Sequence, residues 1–289
     1  MKQLSILTKI MFCITAILLV VTVVLGVITA VKDSKENKEK NQNVTSTTVT
    51  PIPTPSTAPS GSAEPSETPE PTETPVATGG HKIALDPGQQ KEQMQEGEPV
   101  GPGATATTAK MSYGATSVNT GKREYEWSLP VTLKLKEELE KRGYEVVLTR
   151  ETHDVQISNA ERAIFANESG AEIYLSIQAD AAASADAKGM YAQVPSQGNP
   201  YVGNLYSECK RLAKAIQNSL ITETGTKDRG VQENDSVAAI NYSEIPVAIL
   251  QLGYMTNAEE DKNLWDEEYQ DKMVQAICNG IDTYFRNQE

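Results

Sequence analysis

Over residues 81–287, short and nearly all-apolar runs alternate with longer stretches whose apolar positions recur every three or four residues. The short runs, at 82–86, 145–149, 172–178 and 247–252, read as strands buried on both faces. The longer stretches, at 125–142, 158–168, 203–222 and 267–286, read as amphipathic helices. The first of them carries Leu129, Leu133, Leu135 and Leu139 among lysines and glutamates and stops at Gly143, as a helix end should. This alternation predicts an α/β fold: a largely parallel twisted sheet with helices on both faces. Between Gln89 and Lys122 neither period appears, and that Gly/Thr/Ala-rich stretch reads as a long loop, usually a functional or disordered feature in a compact domain.

The pattern changes ahead of the domain. Ile10 to Val31 contains no charged residue, and the run matches the roughly 20 apolar residues that a spanning helix needs. A cleavable leader has a core of about 7–15 residues and a small-residue cleavage site, whereas here the core is longer and Ile28-Thr29-Ala30 makes a poor site. The expectation is a cytoplasmic tail (1–9), a single-pass membrane anchor (10–31), a disordered Thr/Ser/Pro/Glu-rich linker (32–80) and a domain (81–289). Lys32, Lys35, Lys38 and Lys40 follow the span, so a plain count of basic residues points the domain inward. Long domains translocate largely regardless of charge, and a stalk suits an exported protein, so the domain is expected outside the cytoplasm.

A formal net charge of −13 argues against a nucleic-acid partner, which needs a basic face, and against electrostatic docking on anionic lipid. Cys13, Cys209 and Cys278 form no CxxC pair, and the latter two read as buried free thiols. His81 and His153 are the only histidines. His81 precedes the first strand and stands more than about 15 Å from that strand's exit at about 3.3 Å per residue. His153 follows the second strand on the same edge as the strand exits, where the ordinary reading is a solvated loop side chain.

Three of those exits carry a neutral amide: Gln89 after the first strand, Gln178 at the end of the third, Gln251 at the end of the fourth. Ligands of open α/β sheets bind outside the carboxyl ends of the strands. Each amide taken singly is a polar residue with a satisfied hydrogen bond. An amide donates and accepts hydrogen bonds, but it neither takes up a proton nor neutralises a metal's charge.

The order of Asp86-Pro87-Gly88, Glu124 opening a helix, Lys134 to Tyr144, Leu148-Thr149-Arg150, Glu161-Arg162, Ser176-Ile177, Lys227 to Val231 and Leu252-Gly253-Tyr254-Met255-Thr256-Asn257 resembles the zinc-dependent N-acetylmuramoyl-L-alanine amidases of the type 3 catalytic family. The likeness covers residues 81–287, and the ordered set carries it rather than any one motif. It implies a phosphorylase/hydrolase-like α/β domain that cuts the amide between the lactyl group of muramic acid and L-alanine in peptidoglycan. It also implies zinc ligands at Gln89, Glu124 and Gln178, a general base at Gln251 and a substrate carboxylate contact at Arg229. Only Glu124 is the residue type that the resemblance calls for, with Glu126 as the second candidate for its role.

Catalytic zinc takes nitrogen, sulfur or carboxylate donors, and a general base must accept a proton. The expectation is therefore an amidase scaffold with a degenerate site, no cofactor, and engagement of peptidoglycan or a wall-processing protein without cleavage. The alternatives are an active amidase and a pure protein-interaction regulator of one. Glu124, Gln89 and Gln178 are further expected to cluster, both amides donating to the carboxylate. Pro130 leaves two starts for the first helix: near Ser128 as a cap, or at Glu124 with the proline disturbing the turn behind it.

Overall fold

A computed structural model describes residues 80–286, which lie in the second of two units of the chain, Pro71–Glu289. The expected anchor at 10–31 and all but the last residue of the expected linker lie outside the described residues. Among the described residues no helix is long and apolar enough to cross a membrane.

The elements run β1 (Lys82–Pro87), β2 (Met94–Pro99), β3 (Thr107–Met111), α1 (Glu124–Lys141), β4 (Glu145–Leu148), α2 (Asn159–Glu168), β5 (Ile173–Asp180) and β6 (Met190–Val194). A 3₁₀ turn (Gly203–Leu205), α3 (Tyr206–Thr224), β7 (Asp228–Glu233), α4 (Ala238–Asn241), β8 (Val247–Tyr254), α5 (Ala258–Leu264) and α6 (Glu267–Arg286) follow. The main sheet has the order β4-β1-β5-β8-β6-β7. Its first four strands are parallel, and β6 runs antiparallel to β8 while pairing parallel with β7. The largely parallel sheet expected from the pattern is thus a mixed one. β7 escapes the apolar pattern because it forms one edge and is wet along most of its length, while β6, buried between β8 and β7, is only five residues long and interrupted by Gln193.

Helices α1, α3 and α6 pack on one another along one face of the sheet; α2 and α4 lie together on the other, beside the β2–β3 hairpin. The core follows from the fully buried strand residues Ile83, Leu85, Ile173 and Leu175, which share one face of the sheet, together with Trp127, Val131, Leu135 and Leu139 of α1. Gly280 lets α6 approach so near to α3 that a Cβ there would overlap the Ile216 backbone. The region expected as one long loop contains the β2–β3 hairpin, which is mostly exposed and polar and so lacks the alternation that marks a half-buried strand.

α1 begins at Glu124 and not at Ser128. Its first turn is closed by Glu126, whose Oε2 accepts from Arg123 N at 2.8 Å. Ser128 is fully buried within the helix and donates to Gly88 O at 2.6 Å. Pro130 sits in the second turn on the exposed side, where its missing N–H leaves the Glu126 carbonyl without its helical donor.

The chain leaves β1 toward β4 on one side and returns through β5 on the other, so the strand order reverses between β1 and β5. A doubly wound sheet opens its crevice at such a point. Gln89 follows β1 there, and Gln178 and Gln251 are register partners in β5 and β8. Both of these strands run on past their amides, to Asp180 and Tyr254, with a register shift after Gln178.

Candidate functional site

The exit of β1 is held from several directions. Gly88 N donates to Ile177 O at 3.0 Å, and a Cβ at Gly88 would stand 2.5 Å from Gln178 Cγ. Gln89 follows with φ of 62°, the one non-glycine residue with positive φ among the described residues. That conformation costs an L-residue about 1–2 kcal/mol and persists only where its surroundings over-determine it. Two buried arginines do so. Arg150 donates from Nε to Pro87 O at 2.9 Å and from Nη2 to Gly88 O at 3.1 Å. Arg162, fully buried, donates to Pro87 O and Gln89 O, both at 3.1 Å, and to Gln90 Oε1 at 2.7 Å.

Arg162 also pairs with the buried Asp86 at 2.5 Å, and Asp86 accepts from the Ser176 and Thr149 hydroxyls at 2.6 and 2.5 Å. Burial works to raise the Asp86 pKa, but the Arg162 charge and these hydrogen bonds outweigh it and hold the carboxyl below its ordinary range. Burial, followed by the charge of Arg162, lowers Arg150 to about 10.

Glu124 is 1% exposed at the first position of α1. Its Oε2 accepts from Ala115 N at 2.8 Å and its Oε1 from Ala179 N at 3.0 Å. Burial pushes its pKa up to about 7, against the pull of those two backbone donors and of the Gln89 side chain. Glu126 is occupied in closing the helix, which leaves Glu124 as the carboxylate that faces the crevice.

The three amides are brought together, though not all as expected. Gln89 lies beside Glu124 and accepts on Oε1 from Ser112 Oγ at 2.9 Å. Gln178 does not donate to Glu124; its Nε2 goes to Ser176 Oγ at 3.0 Å and its Oε1 accepts from Gln251 Nε2 at 3.0 Å. The side-by-side register of β5 and β8 explains that last bond. Gln251 Oε1 is buried without a hydrogen-bond partner among the described residues.

The stretch 112–115, part of the expected loop, covers the site. Ser112 bonds Gln89 and Ala115 bonds Glu124; between them Gly114, at φ 75°, lies where a Cβ would overlap Glu124 Oε2 and come within 2.6 Å of Gln89 Cγ.

His81 stands at the far end of β1, stacked on Phe285 at 4.1 Å and paired with Glu172 at 2.9 Å. His153 meets the Tyr125 ring edge-on at 5.2 Å, and its Nδ1 is buried without a partner among the described residues. Its pKa is lowered, first by burial and then by Arg150. Arg229, exposed on β7, reaches over the rings of Tyr254 at 5.3 Å and Tyr191 at 5.8 Å. Tyr191 in turn donates to Asp180 Oδ2 at 2.6 Å and pairs with Gln251 across β6 and β8, so Arg229 borders the crevice through the two tyrosines.

These residues do not fit a catalytic zinc. Of Gln89, Glu124, Gln178 and Gln251, only Glu124 carries a donor that the metal takes readily, and its two oxygens accept from the Ala115 and Ala179 backbone N–H groups. The neutral amide oxygens of Gln89 and Gln178, weak donors to zinc, each accept one hydrogen bond, from Ser112 and Gln251. What the arrangement offers is hydrogen bonding, with Gln251 Oε1 as an acceptor that has no partner among the described residues, and a buried carboxyl, Glu124, able to exchange a proton.

Asp86, Arg150, Arg162 and the Ala115 and Ala179 amides carry no role in the sequence reading, although Asp86, Arg150 and Arg162 stand in the ordered motifs. A charged residue at the end of an apolar strand is the signal for Asp86; nothing local marks the backbone donors.

A family profile described as N-acetylmuramoyl-L-alanine amidase matches residues 83–283. The uncharacterized protein YqiI of Bacillus subtilis is 33% identical over 170 residues, 58% of this chain and 78% of that protein. The N-acetylmuramoyl-L-alanine amidase LytC of the same organism is 31% identical over 172 residues, 59% of this chain, which spans 33% of LytC's length. Among solved structures, the CwlD amidase of Clostridioides difficile in complex with the GerS lipoprotein is 25% identical with a TM-score of 0.58, covering 72% of this chain and 99% of that one.

Proposed function

The chain belongs to the N-acetylmuramoyl-L-alanine amidase family, and from that premise we propose that its domain engages peptidoglycan, or a protein that processes it, without hydrolysing the wall. One observation carries this reading: the strand exits carry the amides Gln89, Gln178 and Gln251, of which Gln89 lies beside the buried Glu124 and the other two bond each other. A water at this place meets no base at Gln251, since an amide oxygen does not accept its proton. The same donor set supports loss of the family's zinc, because carboxamide oxygens are weak substitutes for imidazole. In this reading Arg229, held over Tyr191 and Tyr254, offers its guanidinium to a stem-peptide carboxylate. The apolar run at 10–31 supports placement of the domain outside the cytoplasm on a membrane anchor.

A relative solved in complex with a lipoprotein favours a second reading, in which the ligand is another wall-compartment protein. Two measurements decide. Metal analysis of the purified protein after incubation with zinc is expected to find far less than one zinc per chain, and purified cell wall is expected to release no stem peptide. Release that Glu124→Ala abolishes would sink the proposal. Sedimentation with purified peptidoglycan, compared with an unrelated acidic protein, separates wall binding from the partner reading.

A further inference from the structure

Away from the crevice, where the end of α2 meets the chain leading into β8, the surface holds a cavity of about 400 Å³ lined by Pro102, Ile164, Glu168, Tyr201, Tyr242 and Glu244, among others. That volume lies within the range of about 300–1,000 Å³ of small-ligand sites. Its walls are built. The Asn167 amide donates to Tyr242 O at 2.9 Å and accepts from Glu244 N at 2.8 Å, which joins the last turn of α2 to the 242–244 segment. Opposite, the Tyr201 ring lies flat on Gly101, where a Cβ would stand 2.6 Å from the ring carbons.

The charges around this cavity are one-sided. Glu168 and Glu244 are exposed and make no ion pair among the described residues, and no lysine or arginine lines the cavity. Glu168 stands in the last turn of α2, where the helix dipole is itself negative and no basic residue offsets it. The rings of Tyr201 and Tyr242 add faces that attract cations. Ile164 of the lining and Phe165, its neighbour on α2, are each 39% exposed.

We propose that this cavity receives a lysine side chain of a partner polypeptide. The alkyl stem lies along Ile164, Pro102 and the tyrosine rings, and the ammonium meets Glu168, Glu244 and the carbonyls that end α2. Ile164 and Phe165 favour a polypeptide over a free amine, because residues flanking the lysine cover that apolar surface and a small amine leaves it wet. The site stands apart from Glu124 and the three amides, so it holds whether or not the crevice is catalytic.

The test is nuclear magnetic resonance on the ¹⁵N-labelled full-length chain, titrated with a short capped peptide holding lysine between two leucines. Saturable shifts are expected at 164–168 and 242–244. The same peptide with norleucine in place of lysine, and the Glu168→Gln/Glu244→Gln variant with the lysine peptide, are each expected to bind about tenfold or more weakly, or about 1.4 kcal/mol. The amide spectrum of that variant away from the cavity reports its fold. Equal binding of the norleucine peptide overturns the proposal, leaving an apolar patch only, and so does an affinity that the double variant does not change. Soluble wall fragments with a free stem amine form a second arm: saturable shifts from them, with none from the lysine peptide, overturn the assignment to a polypeptide.

Discussion

Glu124 sets the electrostatics of the crevice. Its pKa near 7, against 4.5 for an ordinary glutamate, means that the folded state binds its proton more tightly than the unfolded chain does. The group therefore costs the fold nothing below about pH 4.5; stability falls as pH rises toward 7 and levels off above it, by roughly 3 kcal/mol in all. Glu124→Gln removes the titration. The difference in urea-unfolding free energy between wild type and this variant is expected to slope between about pH 4.5 and 7 and to be flat outside that window. A difference flat across the whole range would show that the carboxylate is solvated. That Glu124 opens a helix near three glutamines was legible in the sequence; that Ala115 and Ala179 donate to it was not, because a backbone donor leaves no mark on residue identity.

Among the elements, the turn after β1 depends on two side chains from elsewhere in the chain. Arg162, from α2, pairs with Asp86 and donates to the Pro87 and Gln89 carbonyls. Removing it leaves Asp86 buried without its countercharge, and Arg162→Met is expected to destabilise the domain by about 3–5 kcal/mol, read from chemical denaturation. α1 carries the opposite case. Pro130 is exposed and supports no contact that the crevice uses, while an interior proline costs a helix about 3 kcal/mol relative to alanine. Pro130→Ala is expected to raise stability by about 1–3 kcal/mol and to leave the Glu124 titration in place. The four long helices and the strands β1, β4, β5 and β8 show in the sequence because each is apolar throughout or at helical spacing. β7 and the β2–β3 hairpin do not, since edge and surface strands alternate too weakly to separate from loop, and β6 does not because its buried run is only five residues with Gln193 in it.

For the whole molecule, the question is whether the scaffold still has the shape of its family's site. Gln89→His, Gln178→His and Gln251→Glu together restore the residue types that the resemblance places there. The triple variant is expected to take up about one zinc per chain and to begin releasing stem peptide from purified wall. Zinc uptake without release would point to the 112–115 stretch, whose Ser112 and Ala115 hold Gln89 and Glu124 and whose Gly114 fills the space between them. Residue type and order were enough to establish the α/β class, the family, the three amides and the retained glutamate, because apolar periodicity and motif order are properties of a linear chain. Tertiary structure alone decided that Gln178 bonds Ser176 and Gln251 and not Glu124, that 112–115 closes over the crevice, and that Glu168 and Glu244 border one cavity. These depend on which strands are neighbours and in what register, and the sheet settles both only when residues far apart in the chain come to lie side by side.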